Sequence, residues 1–123
     1  MGPASTTTKG QRAEQLASSF LIQQGYRILE RNYRCRGGEI DLVAQDGEVL
    51  CFVEVRSRRS STYGNPLETI GGRKRGRLIH AARHYLAVRA RSDREVRFDV
   101  VGIVYEPALS IDLVRGAFEA SGY

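Results

Sequence analysis

Asp46-Gly47 lies between two apolar-rich segments, Glu39 to Gln45 and Glu48 to Arg56, and no other feature constrains the 123-residue chain as strongly. Asp-Gly flanked by alternating hydrophobic residues marks a β-hairpin, because the tight turn needs positive φ and glycine adopts it without steric cost. Side chains alternate faces along each strand. A turn centred on the dipeptide sets Glu39 opposite Glu54 and Asp41 opposite Phe52. One face then carries Ile40, Leu42, Ala44, Val49, Cys51, Val53 and Val55. It is wholly apolar, so it must be core, with Cys51 a small buried hydrophobe. The other face carries Glu39, Asp41 and Val43 beside Leu50, Phe52, Glu54 and Arg56, and three carboxylates gather at one end of it.

The rest of the chain supplies partners for both faces. Ala13, Leu16, Ala17, Phe20 and Leu21 recur at helical spacing between Lys9 and Gln24. Thr8-Lys9-Gly10-Gln11 fits a capping box before them, and Gly25 fits a left-handed cap after them. Tyr26 to Tyr33 reads as a strand, and Ser57 to Pro66 as a flexible loop. A second helix starts between Thr69 and Arg73 and runs to about Arg89, with Leu78, Ala82, Tyr85 and Leu86 as its buried stripe. Val96 to Tyr105 is a strand; a short strand at Ser110 to Val114 and a C-terminal helical turn complete the expectation. The order predicts an α/β fold, a mixed sheet of four to five strands flanked by helices. Residues 1–8 are expected to be a disordered lead-in, and 9–123 a single domain. With 41% hydrophobic and 27% charged residues, the chain can bury a core. No apolar run approaches the ~18 residues of a membrane span. Two cysteines and no secretory pattern at the start predict a cytoplasmic protein.

Like charges on one strand face repel, and apolar neighbours weaken the screening by water. Something positive is needed there. The candidates are Arg56 on the same face, another arginine, or a divalent cation, for which hard carboxylate oxygens are the right donors. The net charge is +5, from 19 Lys+Arg against 14 Asp+Glu, and Lys9 and Lys74 are the only lysines. Three basic runs bracket the hairpin's acidic end: Arg34 and Arg36 before it, Arg56, Arg58 and Arg59 after it, and Arg73, Lys74, Arg75 and Arg77 opening the second helix. They form either solvated faces or a track for nucleic-acid phosphates; convergence on one end of the sheet favours the track. Tyr63 either stacks on a base or covers its loop. His80 and His84 read as helix-surface residues, Glu39 as a strand-end charge, and Asp99 as the partner of a buried arginine.

Gly37-Gly38-Glu39-Ile40-Asp41-Leu42-Val43-Ala44, Phe52-Val53-Glu54-Val55-Arg56 and Arg97-Phe98-Asp99-Val100-Val101 resemble the YraN family of small bacterial proteins. Arg31-Asn32-Tyr33-Arg34 and Lys74 followed by Arg77-Leu78 match as well, so the resemblance runs from Gly10 to Phe118. That family is similar to the PD-(D/E)xK nuclease superfamily, in particular to Holliday junction resolvases. The resemblance implies a restriction-endonuclease-like core and a Mg²⁺- or Mn²⁺-dependent phosphodiesterase acting on DNA, with branched or damaged DNA as candidate substrates. It implies Asp41 and Glu54 as catalytic metal ligands and Glu14, on the first helix, as the third. Residue 56 is the superfamily's lysine position, and here it holds Arg56. Arginine stays protonated, so it can stabilise phosphate charge but cannot act as a base. Lys74 is placed to supply an ammonium from elsewhere. Two alternatives stay open: a binding module that kept the nuclease fold and lost catalysis, and a domain that docks an acidic protein partner. A homodimer is equally open.

Overall fold

The computed structural model describes residues 8–67, 71–89 and 94–120. The lead-in through Thr7 and the earliest expected start of the second helix, Thr69, lie outside the described residues, as does the side chain of Tyr63. The elements are α1 (Lys9–Gln23), β1 (Arg27–Cys35), β2 (Gly38–Asp46), β3 (Val49–Ser60), a 3-10 turn (Ser61–Tyr63), α2 (Gly72–Val88), β4 (Val96–Glu106) and β5 (Ser110–Phe118). The strands form one sheet in the order β1-β2-β3-β4-β5, antiparallel except for the parallel pair β3–β4. This is the expected mixed α/β sheet, consistent with a restriction-endonuclease-like core. Two expectations at the edges change. β3 continues to Ser60 where a loop was expected to begin at Ser57, because β4 pairs with it along that whole length. β5 extends to Phe118, which pairs with Phe98, so strand replaces the expected C-terminal helical turn.

α1 begins as the sequence dictates. Thr8 Oγ1 accepts from the Gln11 N–H at 3.1 Å, and Gln11 Oε1 accepts from the Thr8 N–H at 2.9 Å. Gly25, at φ 96°, turns the chain out of the helix into β1. α1 covers one sheet face through Ala13, Ala17 and Leu21, which pack with Leu42, Ala44, Cys51, Val53, Val101 and Ile103. α2 covers the other through Leu78, Ile79, Ala82 and Tyr85, which pack with Val43, Leu50, Phe52 and Phe98. Both hairpin faces are therefore buried.

The hairpin register differs from expectation by two residues. Asp46 pairs with Val49 and Val43 with Phe52, so the turn's central residues are Gly47 and Glu48. Gly47 has φ 61°, and Asp46 keeps an ordinary negative φ. Glycine thus occupies the first central position, where this kind of turn requires it. A slip of two preserves which face each residue takes. Its consequence lies at the far end: beyond Leu42–Val53, Asp41 and not Glu39 comes to Glu54. Glu39 instead faces Arg34 across β1.

α2 lies against the start of β2 at Gly38. A Cβ there would meet the Arg77 carbonyl at 2.2 Å, so only glycine permits this approach. It draws the first turns of α2 over the acidic end of the hairpin.

Candidate metal and phosphate site

The alternation of β2 breaks at Asp41. Ile40 packs in the cluster under α2, while Leu42 packs in the cluster under α1. Alternation puts Ile40 on the same face as Leu42; the break sends it across, beside its β1 partner Tyr33. The regular β2–β3 ladder ends at Leu42–Val53, and the Val55 N–H donates to Asp41 Oδ2 at 2.8 Å. A side chain thus takes a place in the strand pairing, and its carboxyl is held at the mouth of the gap.

Asp41 and Glu54 share a cleft of about 600 Å³ between the hairpin and α2. Glu39 and Val55 line it from the sheet, and Gly71, Arg73, Lys74, Arg77 and Leu78 from the helix. Glu54 is buried, its side chain only 8% exposed. Burial, and then the negative charge of Glu54, push the Asp41 carboxyl up to about 8. A hydrogen bond between the two carboxyls and the charge of Glu14 act in the same direction; the Val55 N–H opposes them. Burial beside a second acid therefore favours the protonated form of Asp41.

Lys74 brings a cation into contact with Glu54. Its Nζ lies 2.6 Å from Glu54 Oε2, reaching down from the first turn of α2. Arg56, one of the candidate cations, is half-buried farther along β3 opposite Gly102, outside the lining of the cleft. The start of α2 is electrostatically unusual. Helix N-termini favour acidic residues, yet its first turn has none and carries Arg73, Lys74 and Arg75. Its N-cap, Gly71, makes no side-chain capping hydrogen bond.

Residues 13–103 match a family described as "Uncharacterised protein family UPF0102". The chain belongs to UPF0102. This is the YraN resemblance carried by the hairpin motifs. A UPF0102 protein of Moorella thermoacetica is 48% identical over 89% of this chain and 94% of its own length. One from Nitrosococcus oceani is 47% identical over 96% of this chain and 97% of its own.

In this UPF0102 chain the remaining predicted residues separate. Glu14 lines a neighbouring depression with Gln11, Ser18, Arg31 and Asn32. Its charge reaches Asp41, but it does not line the cleft. Among the described residues, no group of three or more His, Cys, Asp or Glu side chains is placed to hold a metal ion. Of the basic set, Arg73, Lys74 and Arg77 line the cleft. Arg34 pairs with Glu39 at 3.4 Å at its rim. Arg36 offers its carbonyl to His80 Nε2 at 3.0 Å. Arg58 donates to the Ser57 carbonyl, Arg59 pairs with Glu106, and Arg75 lies over the Phe118 ring.

His80 and His84 do more than decorate the helix surface. With His84 hydrogen-bonded to the Tyr33 hydroxyl, they tie α2 to β1 and its loop and fix the cleft's roof. Asp99 pairs with an arginine as expected, Arg97 Nε at 2.8 Å. Among the described residues, no helix is long and apolar enough to cross a membrane.

Proposed function

We propose that this UPF0102 chain is a divalent-metal-dependent phosphodiesterase acting on DNA, with Asp41 and Glu54 as metal ligands. The reading is carried by the carboxyl pair itself, gathered in one cleft beneath a helix start whose first turn carries cations and no acid. Two adjacent buried carboxylates repel one another, and hard oxygen donors suit Mg²⁺ or Mn²⁺. Mg²⁺ commonly takes one or two protein carboxylates and fills its shell with water and substrate phosphate, so a pair is an adequate donor set. A divalent ion there would acidify a water and draw charge from the phosphate. Glu14 contributes negative potential at Asp41 from the adjoining depression. Arg73 and Arg77, with the N–H groups of the α2 N-terminus, would bind the phosphate backbone and orient it over the pair. The partner is a polyanion read through its phosphates, so affinity should fall steeply with salt.

Arg56 in place of a lysine favours a second reading, a module that binds nucleic acid without cleaving it. Incubation with plasmid, single-stranded and branched DNA separates the two. The expected result is strand cleavage that needs Mg²⁺ or Mn²⁺ and falls at least ~100-fold in Glu54→Gln, as expected when metal-held charge stabilisation is lost. Salt-dependent DNA binding with no cleavage under either metal would establish the binding module. Absence of both would leave the acidic protein partner.

A further inference from the structure

Lys74 and Glu54 are unequal partners. The carboxylate is 8% exposed and fixed on β3, while the ammonium stem is 59% exposed and enters from solvent. An ammonium at 2.6 Å occupies the coordination space at Glu54 Oε2. A divalent ion at the same oxygen would meet it at close range with like charge. The two would compete for that oxygen.

The first turn of α2 offers the ammonium another destination. It presents Arg73 beside Lys74, with Arg77 a turn on, and has no acidic residue, so an arriving phosphate would find helix N–H groups and cations together. Lysine's flexible four-carbon stem can pass its charge from one anion to the next. We propose that Lys74 is a counter-ion latch: it holds the divalent ion's place on Glu54 in the free protein and moves to a substrate phosphate when one binds. Metal and polyanion then bind cooperatively. By linkage, each raises the other's affinity by the same factor. The latch keeps the free protein poorly loaded, so its hydrolytic centre assembles on nucleic acid. The inference rests on the phosphodiesterase reading of the same site.

The test is a calorimetric Mn²⁺ titration of the full chain, alone and with a hydrolysis-resistant phosphorothioate oligothymidylate. The free wild type should bind Mn²⁺ weakly and at least ten-fold more tightly with the oligonucleotide. Lys74→Ala and Lys74→Gln, checked for a native melting transition, should bind Mn²⁺ without oligonucleotide at least ten-fold more tightly than wild type. The oligonucleotide should then add much less. Mn²⁺ affinity equal to or below wild type in both variants overturns the latch alone, provided that the affinity depends on Glu54. Mn²⁺ binding that is absent from every protein, or undiminished in Glu54→Gln, overturns the phosphodiesterase reading and the latch with it.

Discussion

Arg97→Ala should cost about 3–5 kcal/mol of stability, the range for stranding a buried charge. That is a large fraction of the ~5–15 kcal/mol that holds an ordinary domain folded. Asp99 is fully buried on β4, at a register shift between β4 and β5. Its carboxylate accepts from Arg97 Nε at 2.8 Å, the Gly116 N–H at 2.9 Å and the Tyr26 hydroxyl at 2.7 Å. Arg97 also donates to Asp46 at 2.7 Å, tying the hairpin turn to β4. Burial raises the Asp99 carboxyl, but Arg97, the Gly116 N–H and Tyr26 outweigh it and hold the group below its usual range. Asp46 is lowered too, chiefly by its hydrogen bond from Arg97. Acids with depressed folded pKa values stabilise the protein above their unfolded pKa and lose that contribution as pH falls through the folded value. Urea unfolding should therefore show wild type weakening below about pH 4, with a smaller acid loss in Arg97→Ala. Tyr26→Phe removes one hydrogen-bonding group and should cost only about 1 kcal/mol. An Arg97→Ala protein within ~1 kcal/mol of wild type at pH 7 would show that Asp99 is not held by this pair.

Asp41 should behave with the opposite sign. Its folded pKa, about 8, lies far above the usual carboxyl value of 3.8. Between those values the folded protein binds a proton that the unfolded chain has released, so stability falls as pH rises through the window. Asp41→Asn keeps an acceptor for the Val55 N–H and removes the charge. The variant should be close to wild type near pH 4 and about 2–4 kcal/mol more stable above pH 8, where the difference levels off. Denaturant melts at pH 5 and pH 9 check this. A variant less stable than wild type at pH 9 would mean that Asp41 is not strained by Glu54. Stabilisation on removing a charge is expected of a functional carboxylate held against its own electrostatics.

What the sequence disclosed follows from what each signal depends on. The two hairpin faces were legible because a face assignment depends only on alternation, and a slip of two leaves it intact. The register was not, because the Asp-Gly signal centres the turn on Asp46-Gly47 whereas Gly47-Glu48 holds it. That slip exchanged Glu39 for Asp41 opposite Glu54. The pairing of Asp99 with an arginine was legible from a lone acid between Phe98 and Val100, since a buried charge needs a partner. Ile40 was misplaced because nothing in the sequence marks the break in β2 at Asp41. The link between Lys74 and Glu54 spans an intervening loop and depends on how closely α2 approaches Gly38. The Gly37-Gly38 pair was its only sequence trace. β5 was read too short because its outward residues, such as Arg115 and Gly116, lack the alternation of a half-buried strand.

The most direct test of the account is Mn²⁺ anomalous diffraction from crystals of the protein with a bound phosphorothioate oligonucleotide. The expected result is an anomalous peak between the Asp41 and Glu54 carboxylates, with the Lys74 ammonium withdrawn from Glu54 toward a backbone phosphate. Crystals with ordered DNA in the cleft, no anomalous peak, and Lys74 still paired with Glu54 would contradict it.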